Sequence, residues 1–597
     1  MLSLASLAQE KKQIDIDSDL GRRDPKYPGA FIFQKTDNQV HITHEGIEMW
    51  CDLAFSYEEE NFVKAYGNVR VNQGDTITMN SKYAEYNGNT QFAFASGQVK
   101  LHSPKADLTT DTLYFNRIKQ EAFYRSGGTL RDTASTITSK TGRYFIEQDK
   151  YSFINNVVVT NPEYVINSDQ LDFYSKSGHA YLYGPSTITS DASKVYCERG
   201  FYDTRNDNGY FVKNSRIDYD NRTVYGDSLY FDRPTAFASA TNNIKVVDTA
   251  NKSVVRGHYA EVFREKDSVY ITKRAVAITE QQQDSIYIHG DRLVITGKPD
   301  KRILRGYYNV RMFKSDMSGK CDSIHVNQET GLTQMIGVPI MWSANSQMTG
   351  DSIHLISNPK TERLDSLRVF ENAFLVEKDS LPLLKDAKEK EYGYNQVKGE
   401  RLIGLFKDNA LNQIDIIKNA ESINYRRGED GNIQAVDKGK SASIRVIIEE
   451  NQITDVYKYQ QIDGNVYPLS KFTKEERQFP GLNWRGDERL KTKEDIFKGE
   501  PEFELVKIQG IQLPEIEEDF FETPEGEAPP TERFPSQSEL APEHFKNRKE
   551  DAPTIGVPMN DKATIRKNPS DTIPTPKKPT ALQKPTLIKK DSTDNEE

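Results

Sequence analysis

Short runs of alternating apolar and polar residues fill the chain from Val40 to Val446, and one recurring phrase interrupts them at regular intervals. Its cleanest copies are Gly226-Asp227-Ser228-Leu229, Gly290-Asp291-Arg292-Leu293 and Gly350-Asp351-Ser352-Ile353. With the charged position numbered zero, the phrase stands at Asp52, Lys82, Asp111, Lys140, Asp169, Glu198, Asp227, His258, Asp291, Asp322, Asp351 and Glu400. Ten of the gaps between these twelve copies lie between 29 and 33 residues, and the last is 49. A fixed period of this size marks a repeat architecture, in which each unit buries its apolar face on its neighbours.

An apolar residue usually sits three before zero (Met79, Leu108, Ile137, Ile166) and a small one just before it (Cys51, Ser81, Gly226). Apolar residues return two after it (Leu113, Leu171, Leu229). Side chains in a strand alternate between faces, so the first two positions share a face and the third does not. The chain must therefore bend or bulge between the small and the charged residue. A second landmark follows 16 to 22 residues later, as in Gly67-Asn68-Val69, Gly97-Gln98-Val99, Asn243-Ile244 and Asn309-Val310. Gly and Asn tolerate turn conformations, so this landmark is read as the point where a strand reverses. One repeat thus reads turn, strand, corner, strand, turn, and no helical periodicity is sustained across the region. The fold class expected is all-β: an elongated antiparallel stack of about twelve repeats.

Composition adds boundaries to this picture. The chain has 597 residues and a net charge of -10, which gives no support to nucleic-acid binding. The stretch Met1 to Gln9 carries Ser6 and Ala8 at the spacing of a signal-peptidase site, so residues 1–8 read as a signal-peptide remnant of an exported protein. Residues 9–37 form a lead-in, 38–190 and 191–455 the repeats, and 456–513, with Trp484, a C-terminal capping segment. An insertion at 381–390 is read as a short helix or loop. Residues 514–597 are rich in Pro, Lys, Glu, Ser and Thr, a composition that cannot repay folding entropy, and are expected to be a disordered tail.

Candidate chemistry is sparse. Cys51, Cys197 and Cys321 each fill the small position of a repeat, too far apart in a linear stack for disulfides, and read as small buried residues. His325 and His354 hold matching positions on the face opposite the apolar residues and read as solvated. The row of carboxylates at zero lacks the glycine-dense pattern of calcium-binding repeats and is interrupted by Lys82, Lys140 and His258, so corner polar residues explain it better than metal ligands. No nucleophile elbow, zinc motif, phosphate loop or dinucleotide fingerprint occurs, so no catalytic, metal or cofactor site is expected.

The corner phrase, the run Ala65 to Val71 followed by Gly74-Asp75-Thr76-Ile77, and the period near 30 resemble the OstA/LptA family of periplasmic lipopolysaccharide-transport proteins. The resemblance is strongest over residues 40–190, and with Trp484-Arg485-Gly486-Asp487 the chain looks most like the long OstA-like proteins of Bacteroidetes. It implies a β-jellyroll folded like a taco, whose interior holds lipid A acyl chains while the sugars stay outside. It also implies edge-to-edge joining with other jellyroll components of an envelope bridge, in the periplasm at the inner face of the outer membrane. On that reading Val69, Val71, Ile77, Met79, Val99, Leu101, Val157, Val159, Ile244, Val246, Val310 and Met312 are candidate lipid contacts. Val40 and Ile42, in a run that alternates cleanly and carries no proline or lysine, mark the expected partner edge. The alternative is a structural or adhesive solenoid with a filled core; a carbohydrate-active solenoid ranks third. An open interior favours transport and a packed one favours structure.

Overall fold

The phase change forced on each strand by its inward residues is met by a bulge in the chain's computed structural model. The structure describes residues 13–514, apart from 75–76, 282–283, 299–300, 362, 385–387, 408–409 and 450–451. The expected signal remnant and all but the first residue of the expected tail lie outside the described residues. Among the described residues thirty-six strand segments join in one antiparallel sheet, within one compact unit that ends at Pro514. Successive strands such as Phe62–Gln73, Ile77–Asn87 and Phe92–His102 pair with their sequence neighbours.

The second landmark is not a strand reversal. Gly67 and Asn68 lie in the middle of Phe62–Gln73 with φ of 75° and 43°. Both face one residue of the next strand: Tyr66 pairs with Tyr83 and Val69 with Ser81, so two left-handed residues oppose Lys82 alone. The same two-against-one register recurs at Asn155-Asn156 against Asp169 and at Lys273-Arg274 against Asp291. It recurs again at Tyr308-Asn309 against Asp322. Gly and Asn stand there because they tolerate positive φ, the same property that suits them to turns. The actual reversals are separate, for example between Tyr57 and Phe62.

Each bulge folds its strand into two leaves that bury residues on the same interior. Cys321 and Ile324, one before and two after zero, sit in one core with Ile288, Val310 and Ile353. Landmark asparagines then bind the previous zero position: the Asn68 amide donates to Asp52 (2.6 Å), Asn243 to Asp227 (2.8 Å), Asn309 to Asp291 (2.8 Å) and Asn372 to Asp351 (3.1 Å). The carboxylate row is thus a row of acceptors along the crease. The three cysteines are free and buried, and burial pushes each thiol up to about 12.

Three expectations need correcting. Val40 and Ile42 are not at an edge, because Val40–His44 pairs with Ile47–Cys51 on one side and with Asp15–Asp17 on the other. The short first strand is polar outside and was invisible to a hydrophobic-pattern reading. His325 and His354 are half-buried rather than solvated, and Gln334, on the strand between them, contacts both rings at 3.1 and 3.3 Å. The insertion holds no helix among its described residues; the flanking strands, Leu364–Pro382 and Tyr392–Lys407, lengthen instead.

Where a cap is expected, Gln452–Tyr459 and Asp463–Tyr467 form one last bent strand, and the chain then turns back along the outside of the stack. As its numbering rises, that of its partners falls. Phe472 and Phe479 pack near Val436, the Asn483 carbonyl and Arg485 amide bind Gln347, Arg311 donates to the Lys498 carbonyl (2.7 Å), and Phe503 stacks on His258. Asn242 then exchanges hydrogen bonds with Val506, and Ile511 ends against Tyr183 and Val212.

Two measurements probe these features. A Cβ on Gly337 (φ 78°) would lie 2.5 Å from that of Asp322, whereas Gly46 (φ 83°) has open space around it. Gly337→Ala is therefore expected to cost about 2–3 kcal/mol and Gly46→Ala about 1 kcal/mol in denaturant unfolding; equal costs would contradict the close approach. Glu488 on the returning segment, hydrogen-bonded by Arg485 and by Lys320, is lowered from its ordinary 4.5 to about 2. Its contribution to docking is present above 4.5 and lost as pH falls toward 2. Trp484 fluorescence, reporting contact with Tyr394, is expected to change across that interval in wild type and much less in Glu488→Gln.

Candidate functional site

Inward-facing leaves make a shared interior, and its filling varies along the stack. Near the N-terminal end the inward alanines Ala54, Ala65, Ala84 and Ala95 leave room, but Tyr86 and Tyr124 reach in. Their hydroxyls are tethered to His44 (2.8 Å) and Ser139 (2.7 Å). Toward the C-terminal end Met335, Met341 and Met348 fill the space, as flexible thioethers readily do. Between these cores Ala240, Ala260 and Ala277 line a cavity of about 640 Å³. Its walls are Ile, Val, Leu and Phe from strands spanning Tyr164 to Leu364, on both sides of the crease.

Hairpin turns line the mouth in two rows, one following the landmark strands and one following the phrase strands. Asp248 and Asn251 lie in the first row, and Arg302 and Gln328 in the second. Asp248 and Arg302 form an ion pair across the mouth, and Gln328 donates to Asn251 (2.9 Å). The same kind of bridge recurs where Arg117 meets Glu45 (3.0 Å), Lys105 meets Asp149 (2.6 Å) and Arg233 meets Glu163 (3.5 Å). Charged residues at the cavity are Arg222, Arg233, Arg264, Arg302 and Lys314 against Asp232, Asp248 and Asp267. The balance is positive in a chain of net charge -10.

Of the expected lipid contacts, Ile244, Val246 and Met312 line this cavity. Val310 is buried beside it in the C-terminal core, and Val157 and Val159 in the core that precedes it. Val69, Val71, Met79, Val99 and Leu101 pack in the filled N-terminal core. Ile77 is exposed (36%) at the start of its strand, so its inward assignment is corrected. Sequence reasoning missed the mouth: its arginines sit in turns, outside the alternating pattern, and only their recurrence beside each hairpin could have signalled them.

The architecture defines a class, a folded antiparallel β-repeat protein with an apolar trough opening between two rows of turns. Residues 29–169 match the family model described as OstA-like protein. No curated protein matches the chain. In part it is similar to the crystal structure of LptH from Pseudomonas aeruginosa, described as the LptA-homologous periplasmic component of the conserved lipopolysaccharide transport device. Identity there is 14%, over 16% of this chain and 75% of that one, with a TM-score of 0.16. Among the described residues no helix is long and apolar enough to cross a membrane, which says nothing of β-barrels.

Proposed function

We propose that this protein binds and carries an amphipathic lipid of the lipopolysaccharide type in the periplasm, with its acyl chains in the trough. The trough itself carries this reading. A cavity of about 640 Å³ with aliphatic and aromatic walls and a polar mouth suits an apolar body with a polar end. The OstA-like match over 29–169 supports the same class of work. A filled scaffold has no use for such a cavity, and Asp248, held by Arg222 and Arg302, is poorly placed to act as a general acid.

Photo-crosslinkers at Val246 and Met312 are expected to trap lipid in cells, and one at Val69, in the filled core, is not. Ala277→Trp, which intrudes on the trough, is expected to reduce glycolipid co-purifying in native mass spectrometry several-fold, at an overpacking cost of about 1–3 kcal/mol. Equal crosslinking at all three sites, or unchanged co-purification, would sink the reading.

Partner docking is proposed at the C-terminal edge. Gln452–Tyr459 and Asp463–Tyr467 pair on one side only among the described residues; they expose Val456, Tyr457 and Val466 (60%), and the turn between them exposes Ile462 (61%). At the other end Asp15 and Asp17 put charge on the first strand, a device that discourages pairing. Another jellyroll component is therefore expected to add a strand at the C-terminal edge. Val466→Asp should weaken its pull-down while Asp15→Val leaves it intact; the reverse result would move the joint to the other end.

A further inference from the structure

We infer that Arg302, Arg222 and Arg264 at the mouth form a recognition site for the phosphate of an anionic lipid headgroup, a site that rests on the lipid reading above. Asp248 is 3% exposed and is the anchor of this cluster. It accepts from Asn221 (2.6 Å) and from the Asn251 amide and side chain (3.1 and 3.0 Å), and it pairs with Arg222 Nε (3.4 Å) and with Arg302. One carboxylate thus faces two guanidiniums. The excess positive charge sits beside an apolar wall, where few waters can screen it.

Arg302 carries the argument furthest. Its Nη1 is committed to Asp248, while its Nη2 is buried and has no hydrogen-bond partner among the described residues. A buried donor left without an acceptor is costly, and buried polar groups rarely stay so. Arg302 lines the same cavity as Leu304 and Ile271, so a ligand with its chains in the trough would bring its headgroup beside this guanidinium. Arg264, exposed on the neighbouring turn of the same row, has no ion pair among the described residues. A guanidinium offers two parallel donors to a phosphate, which a point charge does not. Asp248 acts here as a positioning residue: it draws Arg302 across the mouth from the opposite row of turns.

Full-length protein titrated with decyl phosphate, decyl maltoside and inorganic phosphate, each below any micelle concentration, tests the assignment by calorimetry. Decyl phosphate is expected to bind at least ten-fold more tightly than decyl maltoside. Arg302→Gln should remove most of that preference and Arg264→Gln part of it. Arg264→Gln alters an exposed side chain, so it remains informative should Arg302→Gln fail to fold by thermal unfolding. If both alkyl ligands bind alike to wild type, the headgroup site is overturned while the lipid trough stands. If inorganic phosphate binds as tightly as decyl phosphate, the cluster is a free-anion site and the assignment falls. If neither alkyl ligand binds, the lipid reading fails and takes this one with it.

Discussion

The sheet depends on pairs of consecutive left-handed residues held opposite a single charged one. A regular strand sends the positions one before and two after that charge to opposite faces, so only one of them could be buried. The extra residue in the facing strand changes the phase and brings both inside, as with Cys321 and Ile324. Left-handed backbone costs about 1–3 kcal/mol for each non-glycine residue, and it recurs here along the whole crease at Asn, Lys, Arg and Tyr. Such conformations persist only where their surroundings over-determine them. The carboxylate row does part of that, because Asp52, Glu198, Asp227, Asp291 and Asp351 each receive the side-chain amide of the asparagine that the next bulge needs. One residue type serves both the backbone conformation and the bond that holds it.

Repeat and core were legible in the sequence because both follow from periodicity. The small residue at minus one and the apolar residue at plus two fall where the pattern puts them, and the corner between them is real. The second landmark was misread as a reversal for a physical reason. Gly and Asn are favoured wherever φ is positive, in hairpin turns and in mid-strand bulges alike, and one sequence does not separate the two. The first strand escaped notice because Asp15-Ile16-Asp17 offers a single inward residue. The returning segment 468–513 has no period of its own; its apolar residues, from Phe472 to Ile511, are spaced by the strands they cross and not by any element they form.

The trough lay beyond pattern reading because inward direction does not fix how much space remains between two leaves. Ala84 and Ala260 have the same place in their repeats, yet one lies in a filled core and the other on an open wall. Tyr86, two residues on in the same strand as Ala84, and Tyr124 occupy the first core. A dry void of about 640 Å³ would cost on the order of 15 kcal/mol at the rate measured for core cavities, as much as the whole stability of many domains. The trough is therefore sustainable only if water or an apolar guest reaches it, which requires a mouth. Separating the two leaves along that mouth removes the contact that would otherwise close them. Ion pairs such as Asp248 with Arg302 and Glu45 with Arg117 fix the distance between the rows of turns without filling the space behind them. A hydrophobic seam would collapse the same gap. Polar bridges at the rim and apolar walls within are thus a single solution, in which the stack stays folded while its centre stays open.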